Sequence, residues 1–344
     1  MDSPNRMKNI LVTSDNIREE NLGRLSEAAN VYASWKMSEK SIEAVLPSVD
    51  VLVVFMWPKF LTASNLAKMK RLKFIQSILV GVNQVPFENL DEEVRVASNA
   101  GAYSIEVGEH AWGLLLVAAK RVVEHDGRIR NGAKELREFS GEASGVTVLR
   151  GKTLGIVGYG GIGRAAAGYA KAFGMDVFAF TRAKKEEKGV QFFRGKKGLD
   201  ALLKRSDAII LSLPLTKSTY KLIDKRGLSL MKDSAILVNI ARGDLVDQES
   251  LYSRLKSCPN FRYATDVWWF RKGQETLLTG RRFTGLPNFI GTPHMSGSTA
   301  VASGRPGRLA AGNVLRYLRG ENPLHVVDRL EYTEPESIRE SGRK

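Results

Sequence analysis

Three glycines, Gly158, Gly160 and Gly163, stand in the spacing G-x-G-x-x-G between the apolar run Thr153-Leu-Gly-Ile-Val157 and the alanine-rich run Arg164 to Phe173. Strand, glycine turn and helix in that order form a grip for a dinucleotide pyrophosphate. Gly158 allows the tight turn, Gly160 lets backbone N–H groups approach the anion, and Gly163 lets the helix lie close on the strand. Gly161 and Ile162 complete the loop, and the helix N-terminus faces the anion. The next strand-like run, Asp176 to Phe180, ends on Thr181-Arg182, where an acidic residue would hold a ribose 2'-hydroxyl. A hydroxyl and a guanidinium there can hydrogen-bond and neutralise a 2'-phosphate instead. The prediction is NADP (NADPH) in preference to NAD.

Three further strings close apolar runs. Leu211-Ser-Leu-Pro-Leu-Thr-Lys-Ser-Thr219 contains Leu213, Pro214 and Thr219; Val238-Asn-Ile-Ala-Arg-Gly-Asp-Leu-Val-Asp247 contains Ile240, Ala241 and Arg242; Gly291-Thr-Pro-His-Met-Ser-Gly297 contains His294, Ser296 and Gly297. Each falls at a carboxyl end, the edge of an open α/β sheet where ligands bind. Arg242 could clamp a carboxylate and polarise a keto oxygen, and His294 could supply a proton. Plainer readings compete: an ion pair of Arg242 with Asp244 or Asp247, and a strand-end role for His294. Trp57, Trp268, Trp269 and Phe270 could be packing or could wall a substrate pocket. His110 reads as an anchor at the start of its helix, and no chemical role is assigned to it, to His125 or to His325.

These residues need a scaffold. At 344 residues the chain favours two domains. From Lys8 to Asn99 strand-like and helical runs alternate: Asn9 to Thr13, Ile17 to Ala29, Val31 to Ser34, Ser38 to Val45, Val49 to Met56, Thr62 to Met69 and Phe74 to Val80. That alternation predicts a parallel sheet covered by helices, with Val51-Leu-Val-Val-Phe55 buried on both faces. A helix begins near Ser104, and the segment Val122 to Ser144 reads as a polar connection. Further strands are expected at Asp207 to Leu213, Ala235 to Asn239, Arg262 to Asp266 and Asn288 to Thr292, and a last helix at Arg305 to Leu318.

Composition excludes several classes. No apolar run reaches the roughly 20 residues of a membrane-spanning helix, and no secretory segment opens the chain. A single cysteine, Cys258, leaves no intrachain disulfide and fits a cytoplasmic protein. Histidines and cysteine are too scattered for a metal cluster. The net charge is +15, from 52 Lys and Arg against 37 Asp and Glu. The basic residues are dispersed and lack an aromatic-interleaved stripe, so a solvated surface is preferred to nucleic-acid binding.

In order along the chain, Gly81-Val-Asn83, Glu109-His110, Gly158 to Gly163, Asn239-Ile-Ala-Arg-Gly243, Asp266-Val267 and Thr292-Pro-His294 resemble the motifs of the D-isomer-specific 2-hydroxyacid dehydrogenases. This family includes glyoxylate and hydroxypyruvate reductases and phosphoglycerate dehydrogenases. The resemblance spans roughly residues 50 to 327. It implies an α/β fold in which a Rossmann-type cofactor domain, 101–297, is inserted in a flavodoxin-like substrate domain, 1–100 plus 298–330. A disordered tail is expected at 331–344. It also implies a homodimer, with Ser104 to Lys120 and the following segment at its interface.

The mechanism that the resemblance implies places Arg242 on the carboxylate and carbonyl of a small 2-oxo acid. Backbone N–H groups at Val80, Gly81 and Val82 help hold the carboxylate. Protonated His294 gives its proton to the developing alkoxide, and Asp266 sits near the nicotinamide. In the family a glutamate five residues after the Asp266-type aspartate partners the histidine; counting from Asp266 reaches Arg271. Glu275 is the nearest replacement, reachable only through a different bend of the loop. The expected function is an NADP-preferring reductase of glyoxylate, hydroxypyruvate or a similar acid. The alternatives are a cofactor-sensing binding protein of the same fold and an NAD-dependent phosphoglycerate dehydrogenase-like enzyme. The short stretch after Val327 argues against the larger phosphoglycerate dehydrogenase architecture.

Overall fold

The computed structural model describes residues 6–271, 274–298 and 304–332. From residue 333 onward the expected tail lies outside them. The chain divides into two compact units. One comprises Met1–Tyr103 and Thr299–Glu334, and the other has Ser104–Ser298 as its body.

In the first unit, β1 (Asn9–Val12), α1 (Glu19–Ser26), β2 (Asn30–Ala33), α2 (Glu39–Val45), β3 (Val51–Val54), α3 (Ala63–Lys68), β4 (Phe74–Ser77) and β5 (Arg95–Ala97) follow one another. The sheet order is β2-β1-β3-β4-β5, all parallel, the flavodoxin-like order. Ser38 and Thr62 start α2 and α3 by accepting from the N–H groups of Ser41 and Asn65. Val51 to Val54 are fully buried, so both faces of β3 are covered, each side chain contributing roughly 1.5–3 kcal/mol. The last helix returns to this unit. Its Ala310, Ala311 and Val314 join the core of Ile10, Val12 and Val53, and Asn313 Nδ2 donates to Gln76 Oε1 of β4 at 2.7 Å.

The second unit opens with α4 (Ser104–Lys120) and α5 (Val122–Arg130), so the segment expected to be a polar connection begins as helix. Then come β6 (Thr153–Val157), α6 (Gly161–Ala172), β7 (Asp176–Phe180), β8 (Gln191–Phe193), α7 (Gly195–Arg205), β9 (Ala208–Leu211), α8 (Lys225–Leu230), β10 (Ile236–Asn239), α9 (Gln248–Ser257) and β11 (Arg262–Thr265). A short antiparallel pair, β12 (Phe270–Arg271) and β13 (Gln274–Glu275), precedes β14 (Phe289–Gly291). The helix of the first unit, Arg305–Leu318, is α10. The main sheet runs β14-β11-β10-β9-β6-β7-β8. Its direction of winding reverses at β6, between β7 and β9, the crevice where doubly wound sheets take dinucleotides.

Candidate functional site

The glycine loop joins β6 to α6. Gly158 has φ +100°, a left-handed backbone in which a side chain is strained, and a Cβ there would stand 2.7 Å from Ser212 O. A Cβ on Gly163 would stand 2.4 Å from Gly158 O, so only glycine lets α6 start this close to the turn. Gly160 is the N-cap of α6 and supplies no capping side chain. A Cβ at Gly160 would meet nothing within 4 Å. The loop thus leaves room over the first turn of the helix, whose N–H groups suit a pyrophosphate. Thr181 and Arg182 follow β7 directly, and Thr181 N donates to Phe193 O of β8 at 3.2 Å. The Arg182 side chain is exposed. Beyond β9, Leu213 is half-buried and Pro214 exposed. The Thr219 hydroxyl closes a turn, donating to Pro214 O at 2.8 Å while accepting from Thr216 N at 2.8 Å.

Three neighbouring strands, β10, β11 and β14, carry Arg242, Asp266 and His294 just past their carboxyl ends. At ordinary strand spacing β10 and β14 lie roughly 10 Å apart, within the reach of a small ligand held between two long side chains. After β10, Ile240 and Ala241 are buried. Asn239 shapes this turn: its Nδ2 donates to Arg242 O at 2.8 Å and its Oδ1 accepts from Ala241 N at 3.1 Å. Arg242 is half-buried, and its Nη1 donates to Ala241 O at 2.7 Å. Of the two acids weighed as its partners, Asp247 is engaged by Lys221 at 2.9 Å and caps α9 through Ser250 N. Burial pushes the Asp244 carboxyl up to about 6, against the N–H of Phe270 and with reinforcement from the Glu275 charge.

Asp266 is fully buried. It accepts from Thr292 Oγ1 at 2.6 Å, Met295 N at 3.0 Å and Ser296 N at 2.9 Å. Burial opposes its charge, but hydrogen bonds from Ser296, Thr292 and Met295 outweigh it and hold the carboxyl below its ordinary value. Asp266 therefore clamps both sides of the His294 turn. Within that turn His294 N donates to Thr292 O at 3.1 Å, and His294 itself adopts φ +54°, an uncommon conformation for a non-glycine residue. Ser296 is buried, and Gly297 follows it half-buried.

His294 Nδ1 lies 2.7 Å from Glu275 Oε2. The imidazole side chain is 44% exposed and the carboxylate 19%, so the ring is held at Nδ1 while part of it stays open to solvent. The bend that brings Glu275 here is the β12–β13 pair. Phe270 is opposite Glu275 and Arg271 opposite Gln274, so the chain doubles back and sets Glu275 beside the position that spacing from Asp266 assigns to Arg271. Lys272 and Gly273, which join the two strands, lie outside the described residues.

One residue of this network carries no chemical role in the sequence reading. His110, in α4, brings Nε2 to 2.9 Å from Thr292 Oγ1 and 3.6 Å from Asp266 Oδ1. The adjacent Glu109-His110 string was its only signal. Trp268 and Trp269 are packed, 6% and 3% exposed, rather than lining an open wall. In the first unit, Val80 and Gly81 follow β4 half-buried with Val82 buried, and Trp57 donates from Nε1 to Leu61 O at 3.1 Å. Among the described residues no group of three or more His, Cys, Asp or Glu side chains is placed to hold a metal, and no helix is long and apolar enough to cross a membrane.

Residues 112–296 match the family model described as D-isomer specific 2-hydroxyacid dehydrogenase, NAD binding domain. The D-3-phosphoglycerate dehydrogenase of Methanocaldococcus jannaschii is 34% identical over 94% of this chain, and the match spans 60% of that longer relative. The hydroxypyruvate reductase of Thermotoga maritima is 34% identical over 80% of this chain and 86% of its own length. Among solved structures, an acyclic imino acid reductase in complex with NADPH and D-Arg is similar over 93% of this chain and all of its own, with a TM-score of 0.74 and 26% identity.

Proposed function

This chain belongs to the D-isomer-specific 2-hydroxyacid dehydrogenases, and from that membership we propose that it is an NADP-preferring reductase of a small 2-oxo acid, of the size of glyoxylate or hydroxypyruvate. The single observation that carries the reading is the 2.7 Å contact between His294 Nδ1 and Glu275 Oε2, beside the strand ends that carry Asp266 and Arg242. A ring held on one nitrogen by a carboxylate presents the other as a proton donor. This contact supports turnover over a binding protein without it, a reading that Arg271 in place of a glutamate had motivated.

The roles follow from charge. Arg242 binds the carboxylate and draws electron density from the keto oxygen. His294 Nε2 delivers a proton to that oxygen as it becomes an alkoxide, and Glu275 stabilises the cationic ring beforehand. Asp266 acts on the turn rather than on substrate, holding Met295 and Ser296 by their N–H groups. Bound NADPH would supply the hydride. Gly158, Gly160, Gly161, Ile162 and Gly163 would hold its pyrophosphate, with Thr181 and Arg182 at its 2'-phosphate. The NADPH in the similar imino acid reductase is in keeping with this choice of cofactor.

Two measurements bear on the proposal. NADPH oxidation with a panel of 2-oxo acids tests turnover, and NADPH binding without turnover on any member sinks the enzyme reading. Arg182→Ala should raise KM for NADPH about tenfold or more while changing that for NADH less than twofold, the loss of one charge-assisted contact; equal effects on both cofactors exclude the 2'-phosphate assignment. The homodimer fits α5, which leaves Val122, Val123 and Ile129 each more than half exposed, an apolar surface of the kind partners cover. A sedimentation mass of one chain at micromolar concentration would remove it.

A further inference from the structure

Trp268 bonds Glu275 and also the turn that carries His294. Its backbone N–H donates to Glu275 Oε1 at 2.6 Å, leaving Oε2 to face the imidazole. Its indole Nε1 donates to Thr292 O at 2.9 Å, the same carbonyl that accepts from His294 N. One side chain and its own backbone amide thus hold the carboxylate and the turn that carries the histidine. Asp266 grips that turn from the far side of His294.

The ring has a fitted slot. A Cβ on Gly280 would stand 1.9 Å from Trp268 Cζ3, and one on Gly291 would stand 2.8 Å from Cη2 and Cζ2; Phe289 packs edge-on at 5.9 Å. Close packing of this kind fixes the indole plane. The neighbouring residues extend the tie to the Arg242 turn: Trp269 Nε1 donates to Val246 O at 2.9 Å, and Phe270 N donates to Asp244 Oδ2 at 3.3 Å.

Resting on the reductase reading above, we propose that Trp268 is a positioning residue for proton transfer: its indole N–H sets the height and direction of His294 against Glu275, and Gly280 and Gly291 are glycines to admit the ring. The alternative, that the indole only fills core volume, makes a different prediction for a variant that keeps an aromatic ring but loses the donor.

Trp268→Phe is that variant, with Trp268→Met, which likewise has no N–H or O–H donor, in its place if the phenylalanine protein does not fold. Glu275→Gln supplies the reference. A neutral amide gives the imidazole no ionic partner, so kcat for reduction should fall and the pH–rate profile should differ from wild type. In Trp268→Phe, kcat should fall about tenfold, the pH–rate profile should change in the same way as in Glu275→Gln, and KM for NADPH should stay within about twofold. The double variant should be no slower than Glu275→Gln alone, because the tryptophan acts through that contact. Additive losses, or a wild-type pH–rate profile with only a lowered Tm, would overturn the proposal in favour of core filling.

A readout without turnover separates this from failure of the reductase reading. The rate at which diethylpyrocarbonate modifies His294, followed by mass spectrometry against pH, should change alike in Trp268→Phe and Glu275→Gln. Should wild type reduce no 2-oxo acid, the reductase reading falls while this comparison still decides whether Trp268 sets the pair. Wild-type modification kinetics in Trp268→Phe would refute it.

Discussion

Replacing His294 by Gln should lower kcat for 2-oxo acid reduction by roughly 10²–10⁴-fold, the usual contribution of a positioned general acid, while the Kd for NADPH stays within about twofold. The side chain is held in one place. Its Nδ1 faces Glu275 at 2.7 Å, its backbone is turned into φ +54°, and Asp266 pins the residues that follow it. A constrained, partly open ring next to a carboxylate suits the proton transfer proposed for it better than packing. Glutamine can occupy much of the same volume and keep a hydrogen bond to Glu275, so the turn should survive while the transferable proton is lost. Single-turnover kinetics would measure the first quantity, and fluorescence titration with NADPH the second. A variant that loses cofactor affinity in parallel with rate would instead indicate that His294 supports the cofactor loop structurally.

Arg242→Ala should be at least as damaging, lowering kcat/KM for the 2-oxo acid by about 10³-fold or more. Two effects combine: a charge-assisted, potentially bidentate bond to the carboxylate and stabilisation of charge on the keto oxygen in the transition state. Asn239 presents the guanidinium by bonding both the Ala241 N–H and the Arg242 carbonyl, so the turn should persist without the side chain. Arg242→Lys should recover only part of the loss, because an ammonium is a point charge without the planar fork. Addition of guanidinium chloride at millimolar concentration should partly restore the alanine variant. If lysine matches the wild-type enzyme in both kcat and KM, a simple positive charge suffices and the clamp is disproved.

Much of the scaffold was legible before folding. Val51 to Val54 form the buried strand their apolar run predicted, and Arg305 to Leu318 form the last helix, because strong periodicity and burial act over a few residues. The short β5 and β8 leave no sequence signal: three residues each are too few for a period, and they exist by pairing with β4 and β7. Helix α5 was hidden by its polarity, its apolar Val122, Val123 and Ile129 facing outward rather than marking a core face. His110 carries no local sign of its contacts, because its partners, Thr292 and Asp266, are more than 150 positions away in the chain.

The glycine loop and the strand-end position of Arg242 follow from local chemistry: a turn that tolerates only glycine, and polar residues that end an apolar run, announce themselves in sequence wherever they fold. The partner of His294 is of another kind. Linear spacing pointed to Arg271, and only the doubling back of β12 on β13 brings Glu275 to the imidazole. That bend is held by the Trp268 amide and by an indole wedged beside Gly280 and Gly291. Those contacts join residues spread from Trp268 to His294, so their geometry comes into being only when the strand ends are packed together.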